Sequence, residues 1–436
     1  MIGGIQNIGR IAELRQRILF TFGMLIVYRV GCAVVTPGID PQVIKSFFEQ
    51  VSGTMFDVFN IFSGGALKQL SIFALGIMPY ISATIIFQLL TVVIPQLEAL
   101  KKEGEQGQKK INQWSRYATI VLAMFQAFLL SLALEGGQFG QGAVLNPGWG
   151  FRILTMITLT SGTAFIMWLG EQITERGIGN GISLVIFSGI IAGIPSGIGQ
   201  LADLIRTDQF SLLEALLLMG FVAAVLLGVV FVERGQRRIP IQHARRVVGK
   251  RVTQGGMSYF PLRVNTAGVI PPIFASSLLM FPLTVGQFSD SPTLQSFIDQ
   301  YMNPGNMLYN AIYVGLIIFF CFFYTAIVIN PVDVAENIKR FGGYIPGIRP
   351  GKKTAEYIDR VLSRLTLIGA IYVALVCILP VFLASRFNVP FYYGGTALLI
   401  TVGVGLDTIG QIEAHLVSRQ YEGFVRGTRI RGRLGR

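Results

Sequence analysis

Ten stretches of about 20 mostly apolar residues dominate this sequence, near 18–36, 72–95, 117–134, 153–170, 183–203, 212–232, 267–285, 308–330, 365–384 and 394–413. A run of that length crosses the hydrocarbon core of a bilayer as one helix. Inside lipid each backbone amide and carbonyl must be satisfied within its own segment, so the expected fold is an all-α polytopic membrane protein with ten transmembrane helices. Composition agrees, because 52% of the residues are hydrophobic and only 14% are charged, more apolar than a soluble domain requires.

The net charge of +13 would suit nucleic acid, so the placement of the 36 Lys and Arg residues matters more than their sum. Most lie before the first span and after spans 2, 4, 6, 8 and 10, while the intervening loops keep only a few, among them Lys45, Lys68, Arg206 and Arg386. That asymmetry predicts both termini on the cytoplasmic side. The opening "GRIAELRQR" and the apolar run after it mimic a secretory leader. Arg29 interrupts the run and no small-residue cleavage site follows, so it is read as a retained first span.

The sequence offers little for an enzyme. Cys32, Cys321 and Cys377 fall within separate spans without metal-ligand spacing, and His243 and His415 are isolated. "GYIPGIRPGKKT" approaches a phosphate-binding loop but has Pro346 where a glycine is needed, and "GIGNG" at 177–181 follows a span rather than a strand. No cofactor, no metal and no catalytic residue is expected. A secondary transporter for a small solute would place ionisable groups at mid-membrane, and the candidates are Arg29, Glu171, Glu214 and Asp407. For Arg29 and Asp407, snorkelling and structural pairing compete with such a role.

Two loops on the basic side differ in character. Between spans 6 and 7, "RGQRRIPIQHARRVVGKRVTQGGMSYFPLRV" carries Arg245, Arg246, Lys250 and Arg251 among its basic residues and no acidic one. Its alternation of basic and β-branched residues suits a projecting strand or hairpin. Anionic lipid headgroups and an acidic or RNA-containing docking partner both fit that surface. Between spans 8 and 9, Pro346, Gly347, Pro350 and Gly351 bracket Arg349, and turn residues on both sides present it at a tip.

Six segments together resemble the SecY family of protein-translocation channel subunits: "NIFSGGALKQLSIFALGIMPYISATIIFQLLTVV", "MWLGEQITERGIGNGIS", "VERGQRRIPIQ", "NTAGVIPPIFASS", "FCFFYTAIVINP" and "GGYIPGIRPGKKTAEYIDRVLSRLTLIGA". The resemblance covers all ten spans and both large loops. It implies two inverted halves of five spans around a central pore with a lateral gate, residues 1–203 and 204–414, followed by a basic tail at 415–436. The cytoplasmic loops would then be 234–264 and 331–364.

The resemblance also assigns roles. Asn60, Ile61, Phe62, Ser63, Gly64, Gly65, Ala66, Leu67, Lys68 and Gln69 would form a short broken helix that enters from the non-cytoplasmic side and plugs the channel. Ile77, Ile81, Ile186, Ile190, Ile273 and Ile400 would make an apolar constriction that holds back water and ions. Thr84 and Gln88 on span 2 and Asn265 before span 7 would meet at the lateral gate. Arg245, Arg246, Lys250, Arg251 and Arg349 would contact a motor or ribosome. The implied partners are SecE and SecG in the membrane, the SecA ATPase, the ribosome, signal peptides and nascent chains, with anionic lipids around them. The function expected is a passive protein-conducting channel in the bacterial plasma membrane.

Overall fold

The computed structural model describes residues 12–50, 60, 63–137, 139–140, 142–207, 211–243, 246–248, 251–253, 256–287, 306–387 and 394–427. The chain forms two compact units, one from residues 1–196 with 403–436 and the other from 197–402.

The first unit contains α1 (Ala12–Ala33), α2 (Pro41–Gln50), α3 (Met78–Val93), α4 (Pro95–Lys102), α5 (Glu105–Glu135) and α6 (Trp149–Arg176). It also takes the larger parts of α7 (Gly181–Arg206) and α13 (Gly395–Gly427), inside which the division falls. Helix α5 packs along α6, with α3 on α5 and α1 on α6. An ion pair clasps each end of the α5–α6 hairpin. Arg116 Nε lies 2.7 Å from Glu171 Oε1 at one end. At the other, Arg152 Nε donates to Glu135 Oε2 at 2.7 Å while Gly148 N donates to Glu135 Oε1 at 2.8 Å.

The second unit holds α8 (Leu212–Glu233), α9 (Ile270–Gln287), α10 (Met307–Val328), α11 (Pro331–Arg340) and α12 (Lys352–Phe387), with α10 packed on both α9 and α12. Five strands belong to it: β1 (Gln236–His243), β2 (Arg246–Val248), β3 (Arg251–Thr253), β4 (Met257–Arg263) and β5 (Gly343–Tyr344).

Among the described residues seven helices are long and apolar enough to cross a membrane, or eight when the bent pair α3 and α4 is one span. Helices α1 and α9, of 22 and 18 residues, occupy the remaining two expected stretches. The span expected from residue 72 differs in detail, since its helix starts only at Met78 and residues 72–77 are turns. Gly76 takes φ +57°, which breaks a helix, and Pro79 sits in the first turn, where its missing N–H costs nothing. The far end bends by 98° at Ile94, which Pro95 forces into an extended conformation with φ −99° and ψ 114°.

The strands are confined to the two large basic loops, and those between spans 6 and 7 form where alternating residues suit a strand or hairpin. β1 and β4 pair antiparallel from Gln236 opposite Arg263 to Gln242 opposite Met257, and β2 and β3 pair beyond them. β5, from the other loop, adds to the free edge of β1 through Gln242 opposite Tyr344 and His243 opposite Gly343. Ile239, Leu262, Ile345, Ile358 and Leu362 form a buried core beneath this sheet. The two loops are therefore one folded body.

Candidate functional site

The polar, glycine-rich stretch ahead of α3 is folded back into the first unit. Residues 63–77 form a succession of turns, not a helix, apart from an isolated bridge at Ser71. The cause is a series of left-handed positions, Gly64 at φ +70°, Gly65 at +86° and Leu70 at +40°, each of which breaks the helical repeat. Leu70 is fully buried and is the one non-glycine residue with positive φ among the described residues. Such a conformation costs about 1–3 kcal/mol and persists only when the surroundings enforce it.

The enforcing contacts are visible. Asn60 and Ser63, both buried, close the turn internally: Ser63 Oγ donates to Asn60 O at 3.1 Å, and Leu67 N and Lys68 N donate to Ser63 Oγ and Asn60 Oδ1. Thus two of the polar side chains tie the segment together, while Gln69 is exposed. The C-terminal half of α1 and the residues after it form the cradle. Tyr28 Oη donates to Ser63 O at 3.0 Å and Arg29 Nη1 donates to Gly64 O at 2.6 Å. Thr36 N donates to Leu70 O and Ile72 N to Val34 O, each at 2.9 Å, which makes the bridge between Val35 and Ser71.

Packing completes the seat. A side chain at Gly31 would overlap the Phe73 ring, one at Gly162 of α6 would strike the Ile72 carbonyl, and one at Gly64 would reach 3.1 Å from Gly189 Cα of α7. The Phe73 ring stacks between Tyr28 and Phe165, with centroids 5.9 and 6.0 Å away. The segment is therefore held against α1, α6 and α7, and its glycine turn meets α7 immediately before Ile190.

Ile77, Ile81, Ile186 and Ile190 all lie in the first unit and are 2–7% exposed. Ile77 is the residue before α3, and Ile81 N donates to its carbonyl at 3.1 Å, so the two stand one turn apart. Ile186 and Ile190 are likewise one turn apart on α7. Ile273 on α9 and Ile400 on α13 are buried in the second unit. Pro271 and Pro272 stand in the first turn of α9, where they leave Ile273 helical.

The polar residues assigned to a lateral gate differ from one another. Thr84 Oγ1 donates to Tyr80 O one turn back. Gln88 Oε1 is buried without a hydrogen-bond partner among the described residues. Asn265 is fully engaged within the second unit, with Nδ2 donating to Glu233 Oε1 at 2.7 Å and to Gly268 O at 3.1 Å, and Oδ1 accepting from Gly268 N. It fastens the end of α8 to the turn before α9.

On the basic side, Arg349 is exposed, in a turn where Ile348 N donates to Ile345 O and Thr354 Oγ1 donates to Arg349 O. Gly347 at φ +80° and Gly351 at φ +103° flank it. Arg246 and Arg251 take strand positions on β2 and β3. Arg245, Lys250, Ile61 and Phe62 lie outside the described residues.

The groups that would have favoured other chemistry have structural partners. The 177–181 loop has no free cradle of amides: Ile178 N donates to Thr21 Oγ1, Gly179 N to Gln411 Oε1 at 2.8 Å and Gly181 N to Thr174 Oγ1. Glu214 accepts from Ser211 N in a capping box at the start of α8. Glu171 pairs with Arg116, and the three cysteines are free thiols in buried positions. The residues that sequence reasoning missed are Tyr28 and the part played by Arg29. A charge inside an apolar run was the available signal for Arg29, whereas nothing in the sequence marks Tyr28.

The SecY family model matches residues 71–409. The protein translocase subunits SecY of Escherichia coli strain K12 and Pseudomonas aeruginosa are each 50% identical to this chain, over 97% of it and 96% of their own length. Among solved structures, a SecY whose plug domain is described as stabilising the closed state of the translocation channel and maintaining a membrane seal matches with a TM-score of 0.64, at 19% identity over 93% of both chains. Sec61 in the canine ribosome-channel complex matches with a TM-score of 0.63, at 18% identity over 93% of both chains. With this family match, identity at half of the positions over nearly the full length and the same fold, the chain belongs to the SecY family.

Proposed function

We propose that this chain is the passive protein-conducting channel of a translocase, with residues 60–69 as its plug. The observation that carries the reading is the seat of segment 63–77 against α1, α6 and α7, next to Ile190. A polar turn held among transmembrane helices suits a removable stopper, since backbone away from regular helix is tolerated at that depth only beside protein or a wet cavity. Ile77, Ile81, Ile186, Ile190, Ile273 and Ile400 would supply an apolar neck that excludes ions at rest and yields to a passing polypeptide without binding it. The chemistry asks for no catalytic group.

A second exit, sideways into lipid between spans 2 and 3 and spans 7 and 8, would release transmembrane segments. Ten leucine-like residues at roughly −0.3 to −0.6 kcal/mol each supply about 3–6 kcal/mol towards the bilayer. Gln88, whose Oε1 has no partner among the described residues, is the polar group best placed by its chemistry to join across such a seam. The basic loops, built as one sheet with Arg349 at an exposed turn, would dock the SecA motor and the ribosome. SecE and SecG complete the complex. The basic residues favour a plasma membrane orientation with both termini in the cytoplasm.

The test is photocrosslinking of an arrested secretory precursor. A benzophenone-type residue at Ile186 or Ile400 should form an adduct with the precursor, whereas one at Phe231, 81% exposed on α8, should not. Equal labelling at all three positions, or none at the isoleucines, contradicts the neck.

A further inference from the structure

We infer that Arg29 and Tyr28 of α1 form a hydrogen-bonded latch that holds the plug closed, with the Arg29 guanidinium as its principal bolt. This rests on the plug reading above and adds the residues that set how readily the plug leaves. Arg29 stands in an apolar helix and is an exposed residue, yet its Nη1 reaches Gly64 O at 2.6 Å, 35 positions further along the chain. The neighbouring Tyr28 Oη donates to the preceding carbonyl, Ser63 O, at 3.0 Å. Two successive side chains thus bind two successive carbonyls of one turn.

The turn is built to offer them. Left-handed Gly64 and Gly65 interrupt helical bonding, so that among the described residues the Gly64 carbonyl has Arg29 as its donor, while Ser63 O accepts from Tyr28 and, at 3.4 Å, from Ala66 N. A cation at this depth needs a partner, and a main-chain carbonyl on a movable segment supplies one only while that segment is home. When the plug departs, the Ser63 and Gly64 carbonyls and the guanidinium all lose a partner together. The geometry therefore makes plug opening cost two side-chain bonds, of which the charge-assisted one is the stronger.

The experiment uses the full translocase in proteoliposomes, with the decay of an imposed ion gradient as readout, for the parent, Arg29→Gln, Tyr28→Phe, deletion of residues 60–69, and Arg29→Gln combined with the deletion. Loss of a charge-assisted bond should raise the released fraction of the plug by about 10- to 100-fold, and loss of the neutral tyrosine bond by about 2- to 10-fold. Leakage should then rank as parent, Tyr28→Phe, Arg29→Gln, deletion. In the deleted channel Arg29→Gln should add nothing, because no turn remains for it to hold, and this non-additivity is a result that a general loosening of α1 would not give. A deletion that leaks beside an Arg29→Gln channel as tight as the parent overturns the latch and leaves the plug standing. If neither leaks, the plug reading itself falls. Extra leakage from Arg29→Gln in the deleted background also overturns the latch. If Arg29→Gln does not assemble, Tyr28→Phe decides alone: it keeps the ring stacked on Phe73, and parent-like tightness in it ends the proposal.

Discussion

Gly64 is where a single side chain would do most harm. Its φ of +70° penalises any L-residue, and an added Cβ would come 2.6 Å from the Tyr28 hydroxyl and 3.1 Å from Gly189 Cα. Gly65 is as left-handed, at φ +86°, but a Cβ there meets nothing within 4 Å. Gly65→Ala therefore costs backbone strain alone, about 1–2 kcal/mol, whereas Gly64→Ala adds a clash with both walls of the seat. Ion leakage from proteoliposomes should rise more for Gly64→Ala, and equal leakage would mean that the packing at Gly64 contributes nothing. Arg349 invites a second comparison. A planar guanidinium pairs bidentately with carboxylates in a way ammonium cannot, so Arg349→Lys should already impair ATP-driven import into vesicles. Arg349→Glu should impair import more than the same change at Lys352, or at Lys353, whose Nζ is engaged 3.1 Å from Glu356. Import indifferent to Arg349→Glu would remove it from motor coupling. At this scale the sequence is readable only where chemistry is local. The bracketed turn around Arg349 is legible because proline and glycine act on their neighbours, but the Gly64 carbonyl lies 35 positions from Arg29 and no local rule connects them.

Among elements, the sheet over the second unit carries the largest consequence. Because β5 of one basic loop pairs with β1 of the other above a shared core, the loops should lose function together when that core is damaged. Ile358 is fully buried, and Ile358→Ala should cost about 2–5 kcal/mol locally. ATP-driven import and ribosome-coupled membrane insertion should both decline, whereas Arg349→Glu should spare insertion. Loss of only one activity in Ile358→Ala would show that the loops act separately. The turn before α9 makes a second element-level prediction. Asn265→Leu removes three hydrogen bonds and should lower the thermal stability of the complex by about 1–3 kcal/mol. Gln88→Leu removes a buried oxygen that has no partner among the described residues and should not. Comparing the two melting transitions tests this. A strand or hairpin after α8 was legible from alternating basic and β-branched residues, whereas the bend at Ile94 lay inside a stretch that reads as one continuous span, although Pro95 causes it. The two-residue β5 was not legible either, since so short a strand exists only through its partner in another loop. Nor was the late start of α3, where Gly76 outweighs an apolar run that continues through it.

For the whole molecule, hydropathy locates the apolar part of the long helices among the described residues but not their ends, because a bilayer demands about the same apolar length and the same internal hydrogen bonding of each span. What hydropathy does not carry is how a non-helical stretch such as 63–77 is stabilised among helices. That depends on glycines at 31, 162 and 189 in separate segments, each small so that another part of the chain can approach. On the function proposed above, residues 60–69 close a channel for polypeptides. Conductance of the purified complex in planar bilayers tests it most directly, with the parent compared with deletion of residues 60–69 and with the parent after addition of a signal peptide. The prediction is a parent that is silent alone and conducts when the signal peptide is added, and a deleted channel that flickers open without it. A deleted channel as silent as the parent, together with a parent that ignores the signal peptide, would show that these residues do not close a protein-conducting channel.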